Sequence, residues 1–318
     1  MKISIAILGS TGSIGENILD VVRKDKKNLK VVLLTANKNY KKLIQQAKEF
    51  KVKNILIYND KYYEFLKVKL KGRKINIFSR KTKLNKILKK KVDYTICGIS
   101  GLDGLKPTLD IIKFTKTIAS ANKESIICGW YLINKELKKY NTKFIPIDSE
   151  HYSIWNLTRE YSNDDIEEII LTASGGPLLN SPIRIQKTIT PEKTVRHPKW
   201  KMGKKISVDS ANLMNKVFEI MEASKIFNFD LEKYKIFIHP QSYVHTIIKF
   251  KNGLIKMLLH DTDMKIPIFN SIYDKKIKYI TSKKINSKTL NNLNFYEVDK
   301  LKFPSVKLLK KISKKNTL

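Results

Sequence analysis

Residues 3–8 are an apolar run that passes directly into Gly9-Ser10-Thr11-Gly12-Ser13-Ile14-Gly15 and from there into a helical pattern over 16–23. Strand, glycine turn and helix in immediate succession commit this part of the chain to crossover units, because parallel strands are joined only through long connections. The alternation continues. Helical patterns over 40–50, 62–69, 84–90, 105–114 and 124–140 take turns with strand patterns over 30–35, 54–58, 75–78, 94–97, 117–119 and 144–147. Such regularity predicts an α/β fold class with a doubly wound parallel sheet. Ligands of these sheets lie beyond the carboxyl ends of the strands. On that edge fall the Gly9 turn, Asn37-Lys38, the loop with Gly98, Gly101 and Gly104, Ala121-Asn122-Lys123-Glu124 and Asp148-Ser149-Glu150.

Glycines let a backbone approach a pyrophosphate, and the amides that open a helix point at it with the favourable end of the macrodipole. The spacing here is G-x-x-G-x-x-G, a departure from the usual dinucleotide pattern, and a plain tight turn stands as the alternative reading. An NAD site would place an acidic residue near the end of the second strand to hold the ribose hydroxyl. That strand closes instead with Ala36-Asn37-Lys38-Asn39, whose cation and amides suit a 2′-phosphate, so NADPH is preferred to NADH.

Phe144-Ile145-Pro146-Ile147-Asp148-Ser149-Glu150-His151 is an apolar run that stops in two carboxylates, a hydroxyl and an imidazole. As a strand, it would project Asp148 and Glu150 to one side, where they could hold a hard divalent cation. As a helix start, Asp148 or Ser149 would simply cap the following segment. Further on, Ala173-Ser174-Gly175-Gly176-Pro177 offers exposed amides and a hydroxyl for a phosphate or oxyanion, or else a turn without a ligand. The stretch 197–203 carries His197, Trp200 and Met202 in a loop, and a helix follows it. On that helix Asn215, Lys216 and Glu219 share an arc apart from Leu213, Val217, Ile220 and Ser224. Lys216 and Glu219 make either a surface ion pair or, with Asn215 and with Asp209 or Ser210, a phosphate and metal site. His239, His245 and His260 sit at strand ends and read as structural, and Asn252-Gly253 signals a hairpin.

The net charge of +34 comes from 63 basic against 29 acidic residues, with lysines scattered through every segment and no aromatic interleaving. A solvated basic surface that attracts anionic substrates is therefore expected, and no nucleic-acid partner. No apolar run reaches the length of a membrane span and no leader pattern opens the chain. With only Cys97 and Cys128, both in apolar sequence, a cytoplasmic protein without membrane association is expected.

Six motifs resemble those of the 1-deoxy-D-xylulose-5-phosphate reductoisomerase family, in its order and approximate spacing across residues 1–265. They are Gly9-Ser-Thr-Gly-Ser-Ile-Gly15, Ala121-Asn-Lys-Glu-Ser125, Asp148-Ser-Glu-His151, Ser174-Gly-Gly-Pro177, His197-Pro-x-Trp-x-Met-Gly203 and Asp209-Ser-x-x-x-Met-Asn-Lys-x-x-Glu219. The resemblance implies a Rossmann-like NADP-binding domain over 1–149 and an α+β catalytic domain over 150–285. Residues 286–318 would be a linker and the start of a truncated helical domain. It further implies Mg²⁺, Mn²⁺ or Co²⁺ on Asp148, Glu150 and Glu219, with Lys123 as a further catalytic group. Lys123 and Ser149 would hold the hydroxyl end of a phosphorylated sugar, and Ser174, His197, Ser210, Asn215 and Lys216 its phosphate. Trp200 and Met202 would close over it. NADPH would lie on Thr11, Gly12, Ser13, Ile14, Asn37, Lys38, Asn39, Asn122, Glu124 and Gly203.

The implied reaction takes 1-deoxy-D-xylulose 5-phosphate to 2-C-methyl-D-erythritol 4-phosphate in isoprenoid precursor biosynthesis. The metal serves as Lewis acid, the skeleton rearranges by retro-aldol cleavage and aldol recombination, and hydride from NADPH reduces the resulting aldehyde. A homodimer is expected. The chain departs from the family at Lys199, where asparagine is usual, at His260-Asp261-Thr262, where Gly-Glu-Pro is usual, and in stopping inside the expected helical domain. The alternatives are an NADP-linked dehydrogenase of another phosphorylated metabolite and an inactive truncated family member.

Overall fold

The computed structural model describes residues 2–72, 74–195, 197–200, 203–274, 276 and 278–312. Met202, expected in the lid, and residues 313–318 lie outside them. Two compact units divide the chain, Met1–Ile147 with Pro267–Ile277, and Asp148–Ile266 with Lys278–Leu318.

In the first unit, seven strands form one parallel sheet: β1 (Ile3–Leu8), β2 (Leu29–Ala36), β3 (Asn54–Ile57), β4 (Asn76–Ser79), β5 (Val92–Cys97), β6 (Thr115–Ser120) and β7 (Lys143–Pro146). Their order is β4-β3-β2-β1-β5-β6-β7. Between them run α1 (Ser13–Lys24), α2 (Tyr40–Glu49), α3 (Asp60–Lys69), α4 (Leu84–Ile87), α5 (Leu105–Ile112) and α6 (Lys123–Tyr140). The doubly wound parallel architecture is the one the alternation predicts. Ile5, Ala6 and Ile7 are all fully buried although they alternate faces, as a sheet covered on both sides requires. Each of the two isoleucines contributes about 1.5–3 kcal/mol by leaving water. The order reverses between β1 and β5, so the Gly9 turn and the Gly98 loop flank the switch point where such sheets bind ligands. The helix expected over 84–90 ends after one turn, because Leu88 is extended and buried while Lys89-Lys90-Lys91 remain in solvent.

The second unit contains α7 (Ser149–Thr158), β8 (Ile166–Ala173), α8 (Pro191–Thr194), α9 (Lys204–Ala211), α10 (Met214–Phe227), β9 (Tyr234–Ile238), β10 (Val244–Phe250) and β11 (Ile255–Leu259). After these come α11 (Lys265–Tyr273), α12 (Ser287–Asn291) and β12 (Tyr296–Glu297). The second sheet runs β11-β10-β8-β9-β12, with β8 and β9 parallel and the other pairs antiparallel. Asn252-Gly253 turns the β10–β11 hairpin, with Gly253 at φ +85. Ile154 of α7 and Ile220 and Ala223 of α10 pack with Ile169, Leu171, Ile248 and Phe250 of the sheet, so both helices rest on one buried face.

From Pro267 onward α11 belongs to the first unit, where Ser271 Oγ lies 2.6 Å from Tyr94 Oη, although the sequence reading kept 150–285 together. Within 286–318, expected as a linker and helical start, the described residues carry the short α12, supply β12 to the second sheet and form a 3₁₀ turn at Pro304–Lys310.

Candidate active site

Strand β7 stops at Pro146, and Asp148 is the N-cap residue of α7. The helix-start reading is therefore the conformation adopted, and strand alternation is not what aligns the carboxylates. Glu150 sits in the first turn of α7 and Glu219 on α10. Packing of these two helices brings one carboxylate oxygen each from Asp148, Glu150 and Glu219 within 4.8 Å of one another. The expected metal trio is thus assembled, by a route other than the expected one.

Lys216, one turn before Glu219, is buried with its Nζ 2.7 Å from Glu150 Oε1 and 2.5 Å from Glu219 Oε2. Asn215 Nδ2 donates to Glu219 Oε1, and Ser149 Oγ donates to Glu150 Oε2 at 2.6 Å. Asn215 and Lys216, expected on a phosphate, therefore stand on the carboxylates, and the surface ion-pair reading of Lys216 is excluded by its 4% exposure. Thr246 Oγ1 donates to the Glu150 carbonyl at 3.1 Å, and His151 Nε2 lies 2.9 Å from the Glu219 carbonyl and 3.3 Å from Glu222 Oε2. These contacts tie α7 to α10 and β10.

Burial, and then the neighbouring Glu219, push the Glu150 carboxyl up to about 7, against the pull of Lys216. Burial opposes the Lys216 ammonium, yet the two carboxylates together hold its pKa above the ordinary lysine range. Two carboxylates face the ammonium and Asp148 brings a third beside them, an excess of negative charge in a desolvated place. An all-oxygen donor set with that excess fits a hard divalent cation.

A second group of side chains forms where β8 ends. His197 Nδ1 accepts the backbone N–H groups of Lys199, at 3.1 Å, and Trp200, at 2.9 Å. The neutral ring therefore carries its proton on Nε2, which donates to Ser174 Oγ at 3.0 Å. Gly176 N–H also donates to Ser174 Oγ, at 3.0 Å, so the serine's own hydrogen is left to donate elsewhere. Burial lowers the His197 pKa to about 4, keeping the ring neutral. A Cβ on Gly176 would lie 2.5 Å from the Ser210 carbonyl oxygen, and this close approach sets the turn that follows Ser174 against the end of α9. The stretch read as one helix through Leu213 is broken there, with Leu213 buried at φ +60. Asp209 pairs with Lys205 at 2.7 Å. Trp200 meets the ring of His245 edge-on at 5.9 Å, and His245 stacks on His260 at 3.8 Å.

In the first unit, Gly9 has φ +80, and a Cβ on Gly15 would lie 2.4 Å from Ser10 Cα, so α1 begins hard against the turn. Gly12 and Ser13 are exposed at the start of α1, with Thr11 and Ile14 half-buried beside them. Asn37, Lys38 and Asn39 are exposed where the neighbouring β2 ends. Asn39 caps α2 by accepting from Lys42 N–H at 3.2 Å. Asn122 caps α6, accepting from Ser125 N–H at 2.9 Å, and its amide donates to the carbonyls of Ile99 and Gly101, so it organises the Gly98 loop. Lys123 and Glu124 occupy the first turn of α6, and Gly203 is the N-cap residue of α9.

Sequence reasoning missed Thr35 and Gln46. Thr35 Oγ1 accepts from Gly9 N–H at 3.0 Å, and Gln46 exchanges hydrogen bonds with Ser10 at 2.8 and 3.0 Å. A glutamine on the apolar side of α2, between Leu43 and Ala47, was the available signal. His151 and Glu222 were missed as supports of the carboxylates, and Thr246 with them.

Residues 5–129 match the model of the 1-deoxy-D-xylulose 5-phosphate reductoisomerase domain, and residues 144–227 that of the reductoisomerase C-terminal domain. A reductoisomerase of that name from Pelagibacter ubique is 54% identical over 316 residues, 99% of this chain and 81% of the relative. One from Wolbachia pipientis wMel is 40% identical over 96% of this chain and 78% of its own. The solved Zymomonas mobilis enzyme in complex with NADPH superposes with a TM-score of 0.88 at 33% identity, covering 98% of this chain and 81% of that one. A solved reductoisomerase in complex with NADPH, fosmidomycin and magnesium gives 0.88 at 32% identity, over 98% and 79%. A hyperthermophilic archaeal homoserine dehydrogenase, at 11% identity and 0.53, shares the fold alone. On two family models that together span most of its length and on relatives aligned almost end to end, this chain belongs to the 1-deoxy-D-xylulose 5-phosphate reductoisomerase family.

Proposed function

We propose that this chain isomerises and reduces 1-deoxy-D-xylulose 5-phosphate to 2-C-methyl-D-erythritol 4-phosphate, using NADPH and a divalent cation. The observation that carries the reading is the convergence of Asp148, Glu150 and Glu219, with the buried Lys216 held by the last two. Solved relatives hold NADPH, magnesium and fosmidomycin. Asp148, Glu150 and Glu219 would hold Mg²⁺ or Mn²⁺, with Co²⁺ also suited to the site, and the Gly9–Gly15 turn with Asn37, Lys38 and Asn39 would hold NADPH. When bound, the cation supplies Lewis acidity to neighbouring substrate oxygens and NADPH supplies the hydride.

The chain's own groups bind and orient the substrate. Ser149 presents a hydroxyl beside Glu150. Lys123, at the first turn of α6, favours negative charge on a substrate oxygen. At the far end of the substrate, Ser174 offers its hydroxyl hydrogen to a phosphate oxygen, with Ser210 as a further hydroxyl donor. Neutral His197 holds Ser174 in that orientation and at the same time closes the turn that carries Trp200, whose indole would exclude water. Purified chain should oxidise NADPH only in the presence of substrate and Mg²⁺ or Mn²⁺, and Glu150→Gln should abolish it. Metal-independent turnover, or an unbranched alcohol as product by NMR, would sink the reading.

We further propose a cytoplasmic homodimer. Among the described residues no helix is long and apolar enough to cross a membrane, and both thiols are free, Cys128 exposed as well. The edge strand β11 exposes Ile255 and Met257 beside Leu254, an apolar row on an open edge that suits a second copy.

A further inference from the structure

Residues 299–309 touch both halves of the corner that holds Ser174. Phe303 is 2% exposed within the core of the second unit, in the cluster that contains Leu213, with Leu179, Val306 and Leu309 packed against it. Its backbone is set by Asp299, whose carbonyl accepts from Phe303 N–H at 2.9 Å and whose Oδ1 accepts from Leu301 N–H at 2.8 Å. From this anchored segment two side chains reach out. Lys302 Nζ donates to the Leu179 carbonyl, and Ser305 Oγ donates to the Asn212 carbonyl.

Both acceptors sit next to candidate phosphate ligands. The Leu179 side chain fills the space over Gly175, where an added Cβ would lie 2.6 Å from its Cδ1. Asn212 is the break between α9 and α10, two residues after Ser210, and its Oδ1 accepts from Met214 N–H at 2.9 Å. Gly176 abuts the Ser210 carbonyl between them. One hydrogen bond from the segment thus pins the Ser174 turn, and another pins the helix break.

We propose that Lys302 and Ser305 are positioning residues for the substrate's phosphate, fixing the separation of the Ser174 turn from Ser210 before the ligand arrives. The inference rests on the reading of this corner as the phosphate site. A corner already spaced for a phosphate binds it without ordering two loops first, so the effect falls on substrate affinity and leaves the chemical step alone.

The test uses the full chain. The double variant Lys302→Met/Ser305→Ala should raise KM for the phosphorylated substrate by about five- to tenfold, with kcat and the KM for NADPH within about a factor of two. Lys302→Arg and Ser305→Thr, which keep the donors, should restore it. Amide hydrogen exchange over 174–179 and 210–216 is followed in parallel, with inorganic phosphate as the probe. In the wild type, phosphate should slow exchange in both stretches, and the double variant should need several-fold more phosphate for the same protection. No protection in the wild type would overturn the phosphate reading and the proposal with it. Protection at the same phosphate concentration in both proteins would overturn the proposal alone, as would a matching fall in kcat or a matching rise in the KM for NADPH.

Discussion

Lys216 is an ammonium enclosed by two carboxylates, and its removal leaves both buried without a counter-charge. Lys216→Met should lower the stability of the metal-free protein by about 3 kcal/mol. Saturating Mg²⁺ should recover most of that loss, because the cation replaces the missing charge; urea unfolding with and without Mg²⁺ checks both statements. Asp93 shows the ordinary carboxylate case. Burial would raise its pKa, but hydrogen bonds from Lys116, the Ser4 amide and the Ser4 hydroxyl hold it down at about 2. A depressed folded pKa contributes stability that is fully present above the unfolded carboxylate range and is lost as pH falls through about 2. With the side chain 36% exposed and screened by solvent, that contribution is about 1 kcal/mol. The gap between wild type and Asp93→Asn in urea midpoint should therefore be constant from pH 8 to about 5 and should narrow from about pH 4 toward 2.

The glycine turn between β1 and α1 was legible because its chemistry is local. Gly9 is required by its backbone angle and Gly15 by its close approach to Ser10, both set within the turn itself. Gly15→Ala should therefore weaken NADPH binding by more than about tenfold, since the added methyl would drive α1 off Ser10; nucleotide fluorescence titration measures it. The alternation of elements was legible for a similar reason, as periods of two and of 3.6 residues separate over ten residues or more. At 144–151 the apolar part is too short for either period to assert itself, and α7 takes over at Ser149 because Ile154 has a core to enter. The break at Asn212-Leu213 was equally hidden. Nothing in the local sequence demands φ +60 of a leucine, and the cause lies elsewhere in the chain, in burial of Leu213 and approach of Gly176. Asn215, Lys216 and Glu219 were legible as a group, but their partners were not, because Glu150 is 66 residues from Lys216 and only packing joins them.

A formal charge of +34 surrounds a site proposed to take a phosphorylated sugar and a phosphorylated nucleotide. The field should speed encounter with both anions, so kcat/KM should fall several-fold between about 10 mM and about 200 mM salt while kcat barely moves. Steady-state kinetics across that range tests the expectation. Met257→Lys on the open β11 edge should yield monomers by light scattering if the proposed dimer forms there, and a dimer unmoved by the change would place the interface elsewhere. The internal ammonium of Lys216 has one more consequence, which concerns the life of the protein between turnovers. A tethered single charge already stands between two of the carboxylates, so the form without the proposed ion should stay folded. The proposed activity should then idle when metal is scarce and resume on repletion, without new synthesis of the chain.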